Sequence, residues 1–327
     1  MSRFLIPACL TSLLVPACVV PANPIPAERV VLRVQEDEAS MSFFIHDVEK
    51  LSYRYGKRWA IPHIWPLRSP SGRSMLVAEP EDHPHHSSLW VVDRVQLEGG
   101  PEIDFYHEWK NLHDKEDPTA GHHSYIRHDG FVQYVGPMAY GWTTAELTWI
   151  AHGDPVLHQE WSMLIEDLGD EEYLLHLHWN LEARYGAVQF HSDWVHYAWP
   201  YLRMEPGFSG LEGGTITDDQ GRTGQEATNG RYARWIDYSN TVDGVTEGLA
   251  VFLPDDGEPR KWLTREYGTF GPRRSDPFNG TDFTLAEGEN LSGAVTILVH
   301  RGDVVGGKVA ARYADYLASF QVTDSSE

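Results

Sequence analysis

Residues 173–183 read YLLHLHWNLEA. Tyr173, Leu175, Leu177, Trp179 and Leu181 fall on one side of an extended chain, and His176, His178, Asn180 and Glu182 on the other. A period of two is that of a half-buried strand and not of a helix. The stretch before it, VLHQEWSMLIED at 156–167, repeats the pattern: Leu157, Trp161, Met163 and Ile165 against His158 and Glu160. Two adjacent strands joined by a short polar turn, each apolar on one face only, predict an antiparallel sheet. Its apolar side must be covered by a second layer.

Similar runs extend in both directions. They are RVVLRVQ (29–35), MSFFIHD (41–47), SLWVVDRVQL (88–97), AELTWIA (145–151), RYARWIDYS (231–239), GLAVFLP (248–254) and LSGAVTILVH (291–300). Strands at this density, separated by Gly, Pro, Asn and Asp clusters, predict an all-β fold, a large antiparallel β-sandwich. One segment has helical spacing: in VVGGKVAARYADYLASF (304–320), Val309, Ala310, Tyr313, Ala314 and Leu317 recur on one side, so a single helix closes the chain. The expected organisation is a leader over 1–27, one domain over 28–320 and an acidic tail over 321–327.

The leader is read from Arg3 followed by FLIPACLTSLLVPACVV, an apolar run too short and too broken by proline to cross a membrane, with small residues at Ala22 and Ala27 where a peptidase could cut. A second reading takes Val15-Pro16-Ala17-Cys18 as an imperfect lipobox with Cys18 as a lipid anchor. Either way the expectation is a secreted or periplasmic protein, as a free domain or an outer-membrane lipoprotein, without a transmembrane span. Both cysteines, Cys9 and Cys18, lie in this leader, so the domain has no thiolate ligand, thiol nucleophile or disulfide framework.

The chain has 26 Lys+Arg against 48 Asp+Glu, a formal charge of -22, which repels phosphate backbones and argues against a nucleic-acid partner. Its 12 Trp and 15 Tyr fit either sheet-core packing or stacking surfaces for sugar rings. On that second reading a carbohydrate or glycoside is the expected ligand, with Trp90, His178, Trp235 and Tyr267 as candidate contacts.

The densest chemistry lies in EDHPHHSSLW (81–90). Pro84 fixes its own φ and biases His83 toward extended geometry. An extended backbone would put His83 and His85 on one side and His86 on the other. Three readings stay open. His83 and His85 could hold a divalent metal, zinc or similar, with His107, His122, His123 or Glu108 as third ligand. A histidine could serve as general acid or base on a sugar hydroxyl or ring oxygen. Or the rings could satisfy turn backbone groups. Glu160, beside His158, is the candidate carboxylate partner. Arg265, with Tyr267 and Gly268, could fork onto a carboxylate or vicinal hydroxyls. No phosphate-loop motif is present.

HPHHSSLW (83–90), preceded by PLRSPSG (66–72), resembles the secreted bacterial family of unknown function known as methane oxygenase PmoA. That family carries HPHH-x-GLW after a Pro-x-x-x-Pro-x-Gly segment. The resemblance continues through EGGTITDDQGRTGQEA (212–227), RYARWIDYSNTVDG (231–244), WLTREYGTFGPRRSDPF (262–278) and LVHRGDVVGGKVAARYADYLA (298–318). It departs at Ser87-Ser88, where the family has a basic residue and glycine, and at Leu263, where it has histidine. The resemblance implies a distant relation to galactose-mutarotase-like sandwich proteins, which act on or bind sugars. Its methane-oxygenase name does not carry over, because particulate methane monooxygenase subunits are integral membrane proteins. The expected function is therefore a carbohydrate-active enzyme using histidine and carboxylate acid–base chemistry, of lyase, epimerase or hydrolase type. Its catalytic candidates are His83, His85, His86, Glu160 and Arg265. The alternatives are a non-catalytic carbohydrate-binding module and an enzyme with a metal on His83, His85 and His107.

Overall fold

A computed structural model describes residues 30–107, 123–135, 140–191, 198–258, 260–275 and 279–321. The leader with Cys9 and Cys18, the tail beyond 321, and the candidate ligands Glu108 and His122 lie outside the described residues.

The strands form three antiparallel sheets. The first has the order Val30–Gln35, Ser40–Ile45, Val48–Arg54, His63–Leu67, Leu89–Trp90, Tyr201–Arg203, Thr269–Pro272, Trp262–Thr264. The second runs Thr215–Asp218, Trp235–Val242, Val245–Phe252, Asn290–Arg301, Glu172–Glu182, Asp154–Gly169, Tyr140–Ala151, Ser124–Val135. A small third sheet orders Phe283–Leu285, Val188–His191, Arg94–Leu97 and Glu102–Asp104. The large sheets share one core. Tyr53 of the first meets Trp161 of the second edge to face at 5.7 Å, and Phe270 packs on Tyr238. The alternation read at 156–167 and 173–183 sets this core: Leu157, Trp161, Met163, Ile165, Leu175, Leu177, Trp179 and Leu181 are all buried in it.

The predicted sandwich and its C-terminal helix are both present, with two local differences. SLWVVDRVQL is not one strand. The chain leaves the first sheet after Trp90 and enters the third at Arg94, while Val91, Val92 and Asp93 are buried between the two layers. Uninterrupted apolar character is what a crossing between layers requires, and periodicity alone reads it as a continuous strand. The helix spans Val309–Gln321 and starts later than predicted, because residues 303–308 form turns.

That helix covers the outer face of the second sheet. Val309, Tyr313 and Tyr316 pack on Trp235, Ala250, Phe252 and Leu298 in a second, smaller core. Trp235, expected as a sugar contact, is thus buried beneath a helix on the face opposite the main core. No helix among the described residues is long and apolar enough to cross a membrane.

His300 pins the turn that leads into the helix. Its Nε2 lies 2.7 Å from Asp237 Oδ1 and its Nδ1 lies 3.1 Å from the Arg301 carbonyl, with both charged partners fully buried. Two acceptors on two ring nitrogens are satisfied together only by the imidazolium. Burial alone would lower the His300 pKa, but the Asp237 carboxylate outweighs it and the pKa is raised. Gly248 and Gly307 flank the ring so closely that a Cβ on Gly307 would sit 2.1 Å from Nδ1, which is why these positions carry no side chain.

A raised histidine pKa stabilises the fold fully below the unfolded value of about 6.5, and this contribution fades as pH rises through the folded value. Urea unfolding of the wild type should therefore show stability falling as pH rises above about 6.5. Asp237→Asn should cost about 3–5 kcal/mol at pH 6 and flatten that slope. Parallel slopes for the two proteins would contradict the assignment.

Candidate functional site

The segment around His83 is not extended. His83 N donates to Pro80 O at 3.1 Å and His86 N to His83 O at 2.9 Å, giving two consecutive tight turns. Glu79 N to His86 O at 2.8 Å closes their base, beside an antiparallel bridge between Ala78 and Ser87. Pro84 occupies the second position of the turn 83–86, where its fixed φ suits the geometry. The expected separation of His86 from His83 and His85 is thereby overturned. A turn folds the three rings together, where a strand would have alternated them.

The result is a layered stack. Tyr267 lies on His83 at 4.8 Å and 12°, and His83 lies on His86 at 4.7 Å and 19°. His86 is 1% exposed. Tyr106 Oη lies 3.0 Å from its Nε2 and Thr269 Oγ1 lies 3.4 Å from its Nδ1. Burial first, and then His85, His83 and Arg203, hold its pKa well below the ordinary histidine value. It is therefore the neutral rear wall of the site. Behind it Trp90 stacks on Tyr201 at 5.1 Å and 15°. Trp90 is wholly buried, so it is a floor under His86 and not a surface for a sugar ring.

In front of that wall stand His83, His85 and His107, all partly exposed. His83 Nδ1 lies 2.9 Å from Asp82 Oδ2, and His107 Nδ1 lies 2.7 Å from Asp104 Oδ2. The His85 ring sits between these pairs, 5.7 Å from His83 and 4.7 Å from His107. Each carboxylate is itself fixed. Arg203 Nη2 donates to both Asp82 oxygens, at 2.8 and 2.6 Å, while its guanidinium lies 4.7 Å over the Tyr267 ring. Asp104 Oδ1 accepts from His107 N at 3.1 Å, closing a short helical turn. Burial pushes both carboxyls up, but contact with His83 and Arg203 brings Asp82 below the ordinary carboxylate range, and His107 does the same for Asp104.

Other expected residues stand elsewhere. Tyr267 belongs to the stack, but Arg265 turns away: its Nη1 donates to Asn229 Oδ1 at 2.8 Å and to Thr264 O at 3.0 Å. Glu160 and His178 lie on the face of the second sheet opposite the core residues Trp161 and Trp179, so that sheet separates them from the histidine stack. There Glu160 stands opposite Asn180 and Glu146. His178 stands opposite Ser162, its pKa lowered by burial and raised in part by Glu160. The carboxylates beside the histidines are instead Asp82 and Asp104. The Asp-Phe-Tyr-His spacing at 104–107 is a local signal that could have indicated the second. Arg203 and Tyr201 reach the site through strand pairing and carry no such signal.

The metal set His83, His85 and His107 stands side by side without converging on a point: no three His, Cys, Asp or Glu groups among the described residues take a metal-holding arrangement. His123 lies near His152, with ring centres 6.2 Å apart.

Ser88 has φ +73°, a conformation that suits the glycine expected there from the family resemblance. Its buried hydroxyl has no hydrogen-bond partner. Ser88→Gly should raise unfolding stability by about 0.5–1 kcal/mol by relieving left-handed strain and the unpaired hydroxyl. A loss of stability in chemical denaturation would show that the side chain is needed.

With the geometry in place, comparison with known proteins adds the following. A family of unknown function, DUF6807, matches residues 40–314. This agrees with the expectation of an uncharacterised family and gives no support to the PmoA name or to a mutarotase relation. No curated protein matches. Among solved structures, a GH36 α-galactosidase AgaA variant from Geobacillus stearothermophilus in complex with raffinose is similar at TM-score 0.38 and 10% identity, over 86% of this chain and 41% of that one. The stachyose complex of another variant gives TM-score 0.38 and 11% identity over 79% and 40%. A putative kojibiose phosphorylase from human microbiome gives TM-score 0.32 and 10% identity over 93% and 37%. The chain thus spans about two fifths of the length of these proteins.

Proposed function

The chain belongs to the DUF6807 family, and we propose that its histidine site binds a sugar or glycoside and moves protons on it. The observation that carries this reading is a pair of imidazoles with a carboxylate at each, His83 near Asp82 and His107 hydrogen-bonded to Asp104, on either side of the His85 ring. The Asp104 carboxylate hydrogen-bonded at His107 Nδ1 holds the proton there and leaves Nε2 as a proton acceptor. Asp82 stands beside His83 Nδ1 as a charge partner without a hydrogen bond to it. Each carboxylate then stabilises the imidazolium that forms. Two such groups beside one ligand allow one to take a hydroxyl proton while the other delivers a proton to a ring or glycosidic oxygen. That is the proton flow of ring opening, epimerisation or elimination.

The aromatic surroundings support a polyhydroxylated ligand. Tyr267 is partly exposed and stacked on His83, so the site mixes ring faces with polar nitrogens. His86, neutral and buried, gives this space a wall that does not compete for protons.

The test is a screen of mono- and oligosaccharides, followed by NMR of anomeric exchange and product release. His83→Ala and His107→Ala should each lower turnover about 10²–10⁴-fold, the usual worth of a positioned acid or base. Glu160→Gln, on the far side of the second sheet, should leave it unchanged. Saturable binding without turnover would make the protein a binding module. Turnover that survives both histidine substitutions would remove the site from the chemistry.

A further inference from the structure

Most Lys and Arg side chains among the described residues stand beside a carboxylate. A group at one edge of the first sheet does not. The strand Trp262–Thr264 ends that sheet, and residues 229–232 run beside it. Gly230 N donates to Trp262 O at 2.8 Å, Trp262 N to Arg231 O at 3.1 Å, and Tyr232 bridges to Lys261. Residues 229–236 and 260–274 together hold seven Lys and Arg against one acid, Glu266, in a chain of net charge -22. Arg260 and Arg274 have carboxylates in Asp256 and Asp93. Arg231, Arg234, Lys261, Arg265 and Arg273 form no ion pair among the described residues.

Arg231 and Arg234 are exposed, Lys261 and Arg265 partly so, and Arg273 is buried behind them. Lys261 Nζ lies 5.1 Å over the ring of Tyr232, which is itself exposed. Arg265 Nη1 donates to Asn229 Oδ1 at 2.8 Å, and Arg273 Nη2 reaches the same oxygen at 3.3 Å. A neutral amide thus stands where a carboxylate would be expected between two guanidiniums. The edge also adjoins the histidine stack. Arg265 N donates to Thr269 O at 2.8 Å, and Thr269 Oγ1 lies 3.4 Å from His86 Nδ1. Tyr267, in the same turn as Arg265, stacks on His83.

Salt screens the acids of the rest of the molecule beyond about 10 Å, so a ligand at this edge meets the local positive charge. Lys261 and Arg265 are four residues apart, about 13 Å between Cα atoms in an extended chain. Cations spread over that length match several acidic groups in a row better than one. We propose that this edge binds an oligosaccharide with carboxylates on successive units, an oligouronate, running from the histidine turn along Trp262–Thr264. Arg231 and Arg265 take carboxylates in forked geometry and Lys261 supplies a point charge. Exposed Tyr232 offers a ring edge to the sugar beside it. The inference names a ligand class for the histidine site and rests on the sugar reading of that site.

The experiment is isothermal titration of the full chain with trigalacturonate, with its methyl ester, in which the carboxylates are capped, and with hexaglutamate. The wild type should bind the acid about ten-fold more tightly than the ester at low salt, and the difference should shrink as salt is raised. Arg231→Gln and Lys261→Gln should each weaken binding of the acid about two- to five-fold and leave the ester unaffected. Neither side chain makes a hydrogen bond among the described residues, so both variants should fold. His83→Ala should keep the preference for acid over ester while losing turnover, which separates this inference from the acid–base reading. Equal affinity for acid and ester, or a preference untouched by both surface substitutions, would overturn the proposal. Hexaglutamate bound as tightly as trigalacturonate, or more so, would assign the edge to an acidic peptide and overturn the sugar class. Absence of binding to all three would overturn the patch as a ligand surface.

Discussion

Arg203 stands on the short strand Tyr201–Arg203, between Leu89–Trp90 and Thr269–Pro272, and its buried guanidinium reaches Asp82 in the turns that carry the histidines. One contact thus ties a loop to a sheet. Through Asp82 it sets the place of His83. Through its position over the Tyr267 ring it sets the outer layer of the stack. A buried arginine needs a carboxylate, and a carboxylate near the surface keeps its charge most readily beside an arginine. Each partner therefore constrains the other, and the stack Tyr267, His83, His86 follows from where they meet.

The layers of the fold were legible because alternation leaves a physical record. At 173–183 Tyr173, Leu175, Leu177, Trp179 and Leu181 are in the core and the polar residues are not, with Leu174 alone among the leucines turned to the helix side, so a single strand sufficed to predict a two-layer protein. Where the chain crosses between layers, as at Val91–Asp93, the record fails, because a buried connector is as apolar as a strand. The histidine cluster was legible as composition but not as geometry. Pro84 suits an extended chain and the second position of a turn equally, and hydrogen bonds from the His83 and His86 N–H groups to the Pro80 and His83 carbonyls decide between them. Arg203 and Tyr201 were illegible for a different reason: their relation to Trp90 and Asp82 depends on which strands pair across more than a hundred residues, and local patterns do not encode pairing.

The two polar faces that look alike in sequence behave differently in space. His158, Glu160 and His178 sit on the outward side of the second sheet, among cross-strand partners such as Ser162, which bonds Thr144 at 2.8 Å. The histidines of the turn gather in front of a buried aromatic wall, each of two rings backed by its own carboxylate. A pattern of His and Glu on alternate positions thus places those residues along an outer sheet face with His158 buried, whereas the turn collects its rings against the buried Trp90 and Tyr201.

The central claim is that ligand chemistry belongs to the turn histidines and not to the sheet face. The most direct measurement is imidazole NMR of the full chain with resonance assignment, followed while a panel of mono- and oligosaccharides is added. The account predicts that His83, His85 and His107 shift together on binding, while His158, His176 and His178 stay in place. Saturable shifts confined to His158, His176 and His178 would contradict it.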